Sequence, residues 1–196
     1  MAFVRRRQFL SILAAPLAAA PSAKAEESVK DPKTYRFKDR GKFPNSRLPA
    51  LVYAGVFAPS DGLARAFETL FEKNGWNDSW RNGLYKVHHY HSTAHEVLGV
   101  YRGEVRICLG GEDGQRVTLR AGDVAVLPAG VAHKNENQSD DFAVVGAYPD
   151  GTSPDLKYGE DGERPRTDKN IAAVPIPPAD PVQGKAGALT RLWRAR

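Results

Sequence analysis

The five histidines of the 196-residue sequence stand at positions 88, 89, 91, 95 and 133, four of them within eight consecutive residues. Side chains alternate between faces along a strand, so His89 and His91 point one way while His88 and Tyr90 point the other. Two imidazoles on one face can share a cation if further groups complete the shell. Glu96, beyond a short turn at Ser92 to His95, offers a carboxylate oxygen from the next strand. A fourth group must come from a distant strand, and His133 is the histidine that remains. Three neutral imidazoles and one carboxylate make a borderline-hard nitrogen and oxygen site with coordination positions left open, as redox and Lewis-acid centres require. With a single cysteine in the chain, a thiolate-type structural zinc site is disfavoured, as is a disulfide framework. The competing reading is that these histidines only fill a polar core.

His88, by parity, faces away from such a site, and His95 sits in the turn beside Glu96; both read as surface residues or as neighbours of a ligand. Tyr85 and Val87 share the parity of His89, and Leu98 and Val100 share that of Glu96, so these four are expected to line the cavity. The glycines and Pro128 read as backbone devices for tight turns. Cys108 reads as a buried small residue, although an oxidising compartment would also permit an intersubunit disulfide.

The elements that must position these groups are mostly strands. Between Ser60 and Tyr148 the only proline is Pro128, and short β-rich runs are divided by glycines. Strands are expected near Leu84 to His91, Glu96 to Tyr101, Glu104 to Leu109, Arg116 to Leu119, Asp123 to Leu127, Ala132 to Glu136 and Phe142 to Ala147. Leu48 to Phe57 reads as another. Leu63, Phe67, Leu70 and Phe71 recur at helical spacing, which predicts one helix over Leu63 to Lys73, capped by Ser60 or Asp61 and stopped at Asn74-Gly75. Residues 48–148 therefore form one all-β sandwich or barrel preceded by a short helix. Residues 26–47, charged and poor in aliphatics, read as an extended arm. Residues 149–196 begin with seven prolines from Pro149 to Pro181 and read as an irregular tail, with Trp193 docking it on the barrel or on a second subunit.

Residues 1–25 carry Arg5, Arg6, Arg7 and Lys24 with no acid, then an apolar stretch, then Ala23-Lys24-Ala25, the small-x-small form of a signal-peptidase site. Arg6-Arg7-Gln8-Phe9-Leu10 has the twin-arginine pattern; an ordinary secretory signal is the rival. Twelve apolar residues broken by Pro16 are too short for a stable membrane anchor. The leader also carries most of the formal charge of +5: without it, 24 basic and 23 acidic side chains remain, so a nucleic-acid partner loses its support. The expected location is the periplasm.

Gly83, His89, His91, Glu96 and Gly103 resemble the first cupin motif at every fixed position, and Gly122, Pro128, Gly130, His133 and Asn137 resemble the second, with eighteen residues between Gly103 and Gly122. The wording HYHSTAHEVLGVYRG, with PAGVAHK and VVGAYPDG, is similar to the single-domain YjlB-like cupins, from about Leu48 to the DPVQG stretch near Asp180. The resemblance implies a cupin double-stranded β-helix, a jelly-roll barrel, usually as a homodimer exchanging arm and tail, with a metal held by His89, His91, Glu96 and His133. It implies no particular reaction. Export of an already folded protein would let manganese or iron be loaded in the cytoplasm, so these rank ahead of zinc or nickel despite their lower affinity. The expected function is a metal-dependent enzyme acting on a small oxygenated molecule by dioxygenase, oxalate-degrading or isomerase chemistry. The alternative is a non-catalytic module that binds, senses or sequesters a metal or small metabolite.

Overall fold

The computed structural model describes residues 29–194; the leader lies outside the described residues. Nine strands and three helices follow in the order β1 (Lys33–Tyr35), β2 (Ala50–Tyr53), α1 (Leu63–Lys73), β3 (Trp76–Asn82), β4 (Glu96–Arg102), β5 (Glu104–Leu109), β6 (Gln115–Arg120), β7 (Val124–Leu127), β8 (His133–Gln138), β9 (Ala143–Pro149), α2 (Arg166–Ala173) and α3 (Ala188–Leu192). They form an antiparallel six-stranded sheet, β1-β2-β7-β4-β9-β3, and a three-stranded sheet, β6-β5-β8. No described helix is long and apolar enough to cross a membrane.

The two sheets close over an apolar interior that includes Leu98, Val100, Val105, Ile107, Leu109, Leu119 and Val144. A second core lies on the other face of the large sheet, where Leu63, Phe67 and Phe71 of α1 pack with Val97, Val145 and the tail residue Trp193. The 11-residue helix α1 has the predicted extent. Its start differs: Gly62 is the cap and neither Ser60 nor Asp61 supplies a side-chain bond, the turn closing instead through Leu63 N–H to Ser60 C=O at 3.2 Å. At its end Gly75 adopts φ of 77°, a left-handed conformation open to glycine at little cost.

Three departures from the sequence expectation matter for the site. The strand expected over Leu84 to His91 is displaced to β3, whose Trp76, Trp80 and Arg81 pair with β9; beyond Gly83 the chain has no continuous partner and makes isolated bridges at His89 with His133 and at Tyr90 with Lys157. The charged arm does not run free, since β1 pairs with β2. The tail carries regular structure: α2 begins immediately after Pro165, its cap residue, and ends before Pro175.

The tail is fastened at two points. Trp193 is buried, donates from Nε1 to Pro49 C=O at 2.8 Å and packs its ring 4.7 Å from that of His95. Asp180, fully buried, accepts from Tyr53 Oη, Val182 N–H, Gln183 N–H and Leu189 N–H, so its carboxylate is satisfied without a counter-ion.

Candidate metal centre

The barrel interior is apolar over most of its length and polar at one end. His89, His91, Glu96 and His133 gather there at the floor of an open cavity of 480 Å³. Glu96 opens β4 and His133 opens β8, so each presents its side chain where its strand leaves the apolar core. His89 reaches the site because its backbone is bridged to His133 in both directions, N–H to O at 3.1 and 2.8 Å. That bridge keeps residues 89 to 91 extended, and the alternation argument holds over this short stretch even though no strand surrounds it.

The three imidazoles offer ligand atoms within 4.8 Å of one another and could hold a metal ion. The ring centroids of His89 and His133 are 4.0 Å apart, and His91 lies 5.7 and 5.8 Å from the two. In all three rings Nδ1 faces a backbone carbonyl: Val87 for His89 at 3.2 Å, Val131 for His133 at 3.1 Å, and Asp155 for His91. A carbonyl only accepts, so Nδ1 carries the proton and Nε2 keeps its lone pair, the tautomer a metal needs. Glu96 brings Oε1 to 3.6 Å from His91 Nε2 and Oε2 to 3.3 Å from His133 Nε2.

These last two atoms test whether a cation fits. His133 Nε2 and Glu96 Oε2 are buried, near each other, and out of line for a hydrogen bond, which leaves both without a partner. A lone pair facing a carboxylate in a buried site is costly unless a proton or a cation lies between them. The donor set of three imidazole nitrogens and one carboxylate is one that manganese, iron, zinc and nickel all accept.

The electrostatics favour the ligand protonation state at His89 and Glu96 and oppose it at His91. Burial, reinforced by His133, lowers the His89 pKa to about 3, so this ring is neutral near pH 7. Burial alone would push His91 down, but Glu96 and the Asp155 carbonyl carry it above its ordinary value. Burial likewise opposes ionisation of Glu96, yet His91 and His133 hold its carboxyl below the usual range. A hydroxyl chain extends from the site: Trp80 Nε1 donates to Tyr148 Oη at 3.1 Å, and Tyr148 Oη donates to Glu96 Oε1 at 3.1 Å. Burial and the Glu96 charge raise the Tyr148 pKa, so the phenol keeps its proton.

Residues 81–146 match the Cupin domain family. Over 165 residues the chain is 40% identical to the uncharacterized protein YjlB of Bacillus subtilis (strain 168), covering 84% of this chain and 98% of that one. The chain belongs to the cupins. Among solved structures, this cupin is similar to a Klebsiella pneumoniae protein with a double-stranded beta-helix domain, at 17% identity and a TM-score of 0.32 over 67% of this chain and 83% of that one. Another is acireductone dioxygenase from Bacillus anthracis with cadmium ion in its active center, at 20% identity and a TM-score of 0.33 over 47% of this chain and 64% of that one.

Several expected roles change in the cupin as folded. Leu98 and Val100 do not line the cavity; they have the parity of Glu96 but lie deeper, in the apolar barrel core. Tyr85 does line it, stacking edge-on against His89, whereas Val87 is exposed outside it. His88 packs against Phe43, away from the centre. His95 is neither a surface residue nor a contact of the centre. It is buried, accepts at Nδ1 from Ala129 N–H at 2.9 Å and donates from Nε2 to Pro175 C=O at 3.2 Å. Cys108 is fully buried and donates to Gly111 C=O, so a disulfide to a second subunit has no access.

Trp80, Tyr148 and Asp155 were not singled out from sequence, and all three line the cavity with Leu84, Pro154 and Leu156. Tyr148 had one readable signal, its place at the end of the strand that pairs along β4 beside Glu96. Asp155 had none, because it lies in a proline-rich segment far from the histidines.

Proposed function

We propose that this chain is an exported, periplasmic cupin whose His89, His91, Glu96 and His133 hold one divalent metal ion and whose cavity admits a small oxygenated substrate for dioxygenase, oxalate-degrading or isomerase chemistry. The observation that carries the reading is the convergence of three imidazoles, with the Glu96 carboxylate beside His91 and His133, on the floor of an open 480 Å³ cavity. Bound there, the ion would act as a Lewis acid or redox centre for an oxygen ligand.

The protein's own part can be stated residue by residue. The backbone carbonyls fix the tautomer and aim of the three imidazoles. Tyr148 holds its proton on Oη against Glu96 Oε1, and Trp80 fixes that phenol from behind. Leu84, Tyr85, Pro154 and Leu156 wall the cavity with apolar surface, which shields a substrate from water on entry. Arg81 also borders the cavity, but its guanidinium is taken by a bidentate pair with Glu68 at 2.6 and 2.8 Å.

One observation favours the non-catalytic reading. Apart from the metal-facing groups, the titratable side chains lining the cavity with buried partners are already engaged, Tyr148 with Glu96 and Asp155 with Ser92. The exposed Tyr85 phenol is the titratable group left over in the described lining, and a module that binds a small metabolite through the ion needs no general acid or base. Screening the metal-loaded protein with O₂ and small acids, diketones, phenols and sugars separates the two. Turnover abolished in His91→Ala supports the enzyme, and tight binding without consumption supports the module.

Manganese or iron is the proposed ion, ahead of zinc or nickel, on the ground that a folded protein exported by the twin-arginine route is loaded before it meets periplasmic copper and zinc. Metal analysis of protein recovered from the periplasm tests this; stoichiometric copper or zinc counts against cytoplasmic loading. Replacing Arg6 and Arg7 by lysine should block export, and export that persists refutes the route. A homodimer is proposed as the assembly, to be read from the mass in solution.

A further inference from the structure

His91 differs from the other two imidazoles in how its ring is fixed. His89 and His133 each bond the carbonyl two residues before them, Val87 and Val131, so their own strand segment aims them. The corresponding carbonyl for His91 is that of His89, and it is taken by His133 N–H at 2.8 Å. The acceptor that His91 Nδ1 uses is instead the Asp155 carbonyl, 64 residues downstream in the tail.

That carbonyl is held in place by the side chain of the same residue. Asp155 Oδ1 accepts from Ser92 N–H at 2.5 Å and Thr93 N–H at 3.2 Å, and Oδ2 accepts from Ser92 Oγ at 2.6 Å. Thr93 Oγ1 answers by accepting from Asp155 N–H at 2.9 Å and donating to Ser153 C=O at 2.7 Å. Just beyond, Tyr90 and Lys157 exchange two backbone hydrogen bonds at 2.8 and 3.0 Å. Asn170 of α2 donates to Ser92 Oγ at 3.0 Å, which ties the helix to the same knot. The strap of residues 153–157 is thus laced to residues 90–93 on both sides of His91.

We propose that Asp155 is a positioning residue of the metal centre: its carboxylate grips the Ser92-Thr93 turn, sets its own carbonyl against His91 Nδ1, and so aims His91 Nε2 into the cavity. The inference rests on the metal-binding reading above and extends it to a residue outside both histidine motifs. Loss of such an outer partner costs a metal site about 10- to 100-fold in affinity.

The test is Co(II) binding to the full mature chain, followed by titration and by the visible d–d spectrum, which reports ligand geometry independently of turnover. Asp155→Ala should fold, bind Co(II) about 10- to 100-fold more weakly and give a shifted spectrum. Asp155→Asn keeps an acceptor for the two N–H groups and should recover most of the affinity and the wild-type spectrum. If Asp155→Ala fails to fold, Thr93→Val loosens the strap from the other side and should weaken binding severalfold with a spectral change. Unchanged affinity and spectrum in whichever of these variants folds overturns the inference while leaving the metal site standing. Wild-type protein that takes up no Co(II) overturns the metal reading itself.

Discussion

Glu96→Gln gives the sharpest test of the centre, because the structure predicts opposite effects on the metal-free and metal-loaded protein. In the wild type, Tyr148 donates to Glu96 Oε1 at 3.1 Å while Oε2 faces the His133 Nε2 lone pair at 3.3 Å without a hydrogen bond. Glutamine keeps Oε1 for Tyr148 and places an NH₂ opposite His133, where a small rotation of the amide brings it into line to donate to that lone pair. With the His133 proton on Nδ1, where the Val131 carbonyl fixes it, the variant gains one buried hydrogen bond and loses one buried repulsion, worth about 1 kcal/mol to the metal-free protein. The same substitution removes the anionic ligand and occupies a second ligand atom, so affinity should fall by at least about 100-fold, the upper figure for loss of a mere outer partner. At a metal concentration 1,000 times the wild-type dissociation constant, binding stabilises the wild type by about 4 kcal/mol and the variant by about 1.4 kcal/mol. For a chain of this length those figures correspond to thermal shifts of about 8–16 °C and about 3–6 °C. The assay is thermal unfolding with and without manganese, zinc or cobalt, and it compares each protein with itself, so any change in metal-free stability cancels. A variant that keeps the full wild-type shift would refute Glu96 as a ligand, and one whose metal-free form unfolds several degrees earlier would refute the lone-pair geometry.

Three further outcomes follow from the packing around the site. Asp180→Ala strands the buried donors of Tyr53, Val182, Gln183 and Leu189 and should cost at least about 3 kcal/mol, read as a lower urea midpoint together with early exposure of Trp193 fluorescence; a loss below 1 kcal/mol would contradict the anchoring role. Gly146→Ala would set a Cβ 2.1 Å from the Trp80 ring, so the indole must leave Tyr148; a loss of about 1–3 kcal/mol and a red-shifted Trp emission are expected, and an unchanged spectrum would show the ring had room. Burial lowers the His95 pKa to about 4 from an ordinary 6.5, so the unfolded chain binds the extra proton first, and stability is lost as pH falls from about 6.5 to about 4, by up to about 3 kcal/mol. His95→Gln, which can accept from Ala129 and donate to Pro175, should flatten that acid slope, and an unaltered slope would assign it to other groups.

What was legible in the sequence follows a physical division between local and long-range constraint. The motif residues were readable because alternation is a property of two or three successive backbone units and needs no long strand. His89 and His91 share a face although the strand drawn around them, Leu84 to His91, is displaced to Trp76–Asn82. Helix α1 was readable for the same reason, its apolar face being written in one 11-residue stretch. Parity, however, gives the face and not the depth. Leu98 and Val100 follow Glu96 on the inner face, but each two-residue step moves about 7 Å along the barrel, so the polar end closes after a single residue and the next two belong to the core.

The tail failed for the opposite reason. Its prolines forbid long regular structure but say nothing of what a helix only eight residues long can do between them. More important, its contribution to the site is a backbone carbonyl, a group every residue carries, made specific by a carboxylate that finds its partners 62 and 63 residues upstream. Nothing in composition or spacing marks such a residue, because the information lies in long-range pairing: the His89 carbonyl accepts from His133 N–H, and His91 Nδ1 bonds the Asp155 carbonyl rather than one in its own segment. Cupin motifs point to the candidate ligands of the proposed centre; the hydrogen-bond accounting around each imidazole, carried through until every Nδ1 has a partner, points to the residues that would aim them.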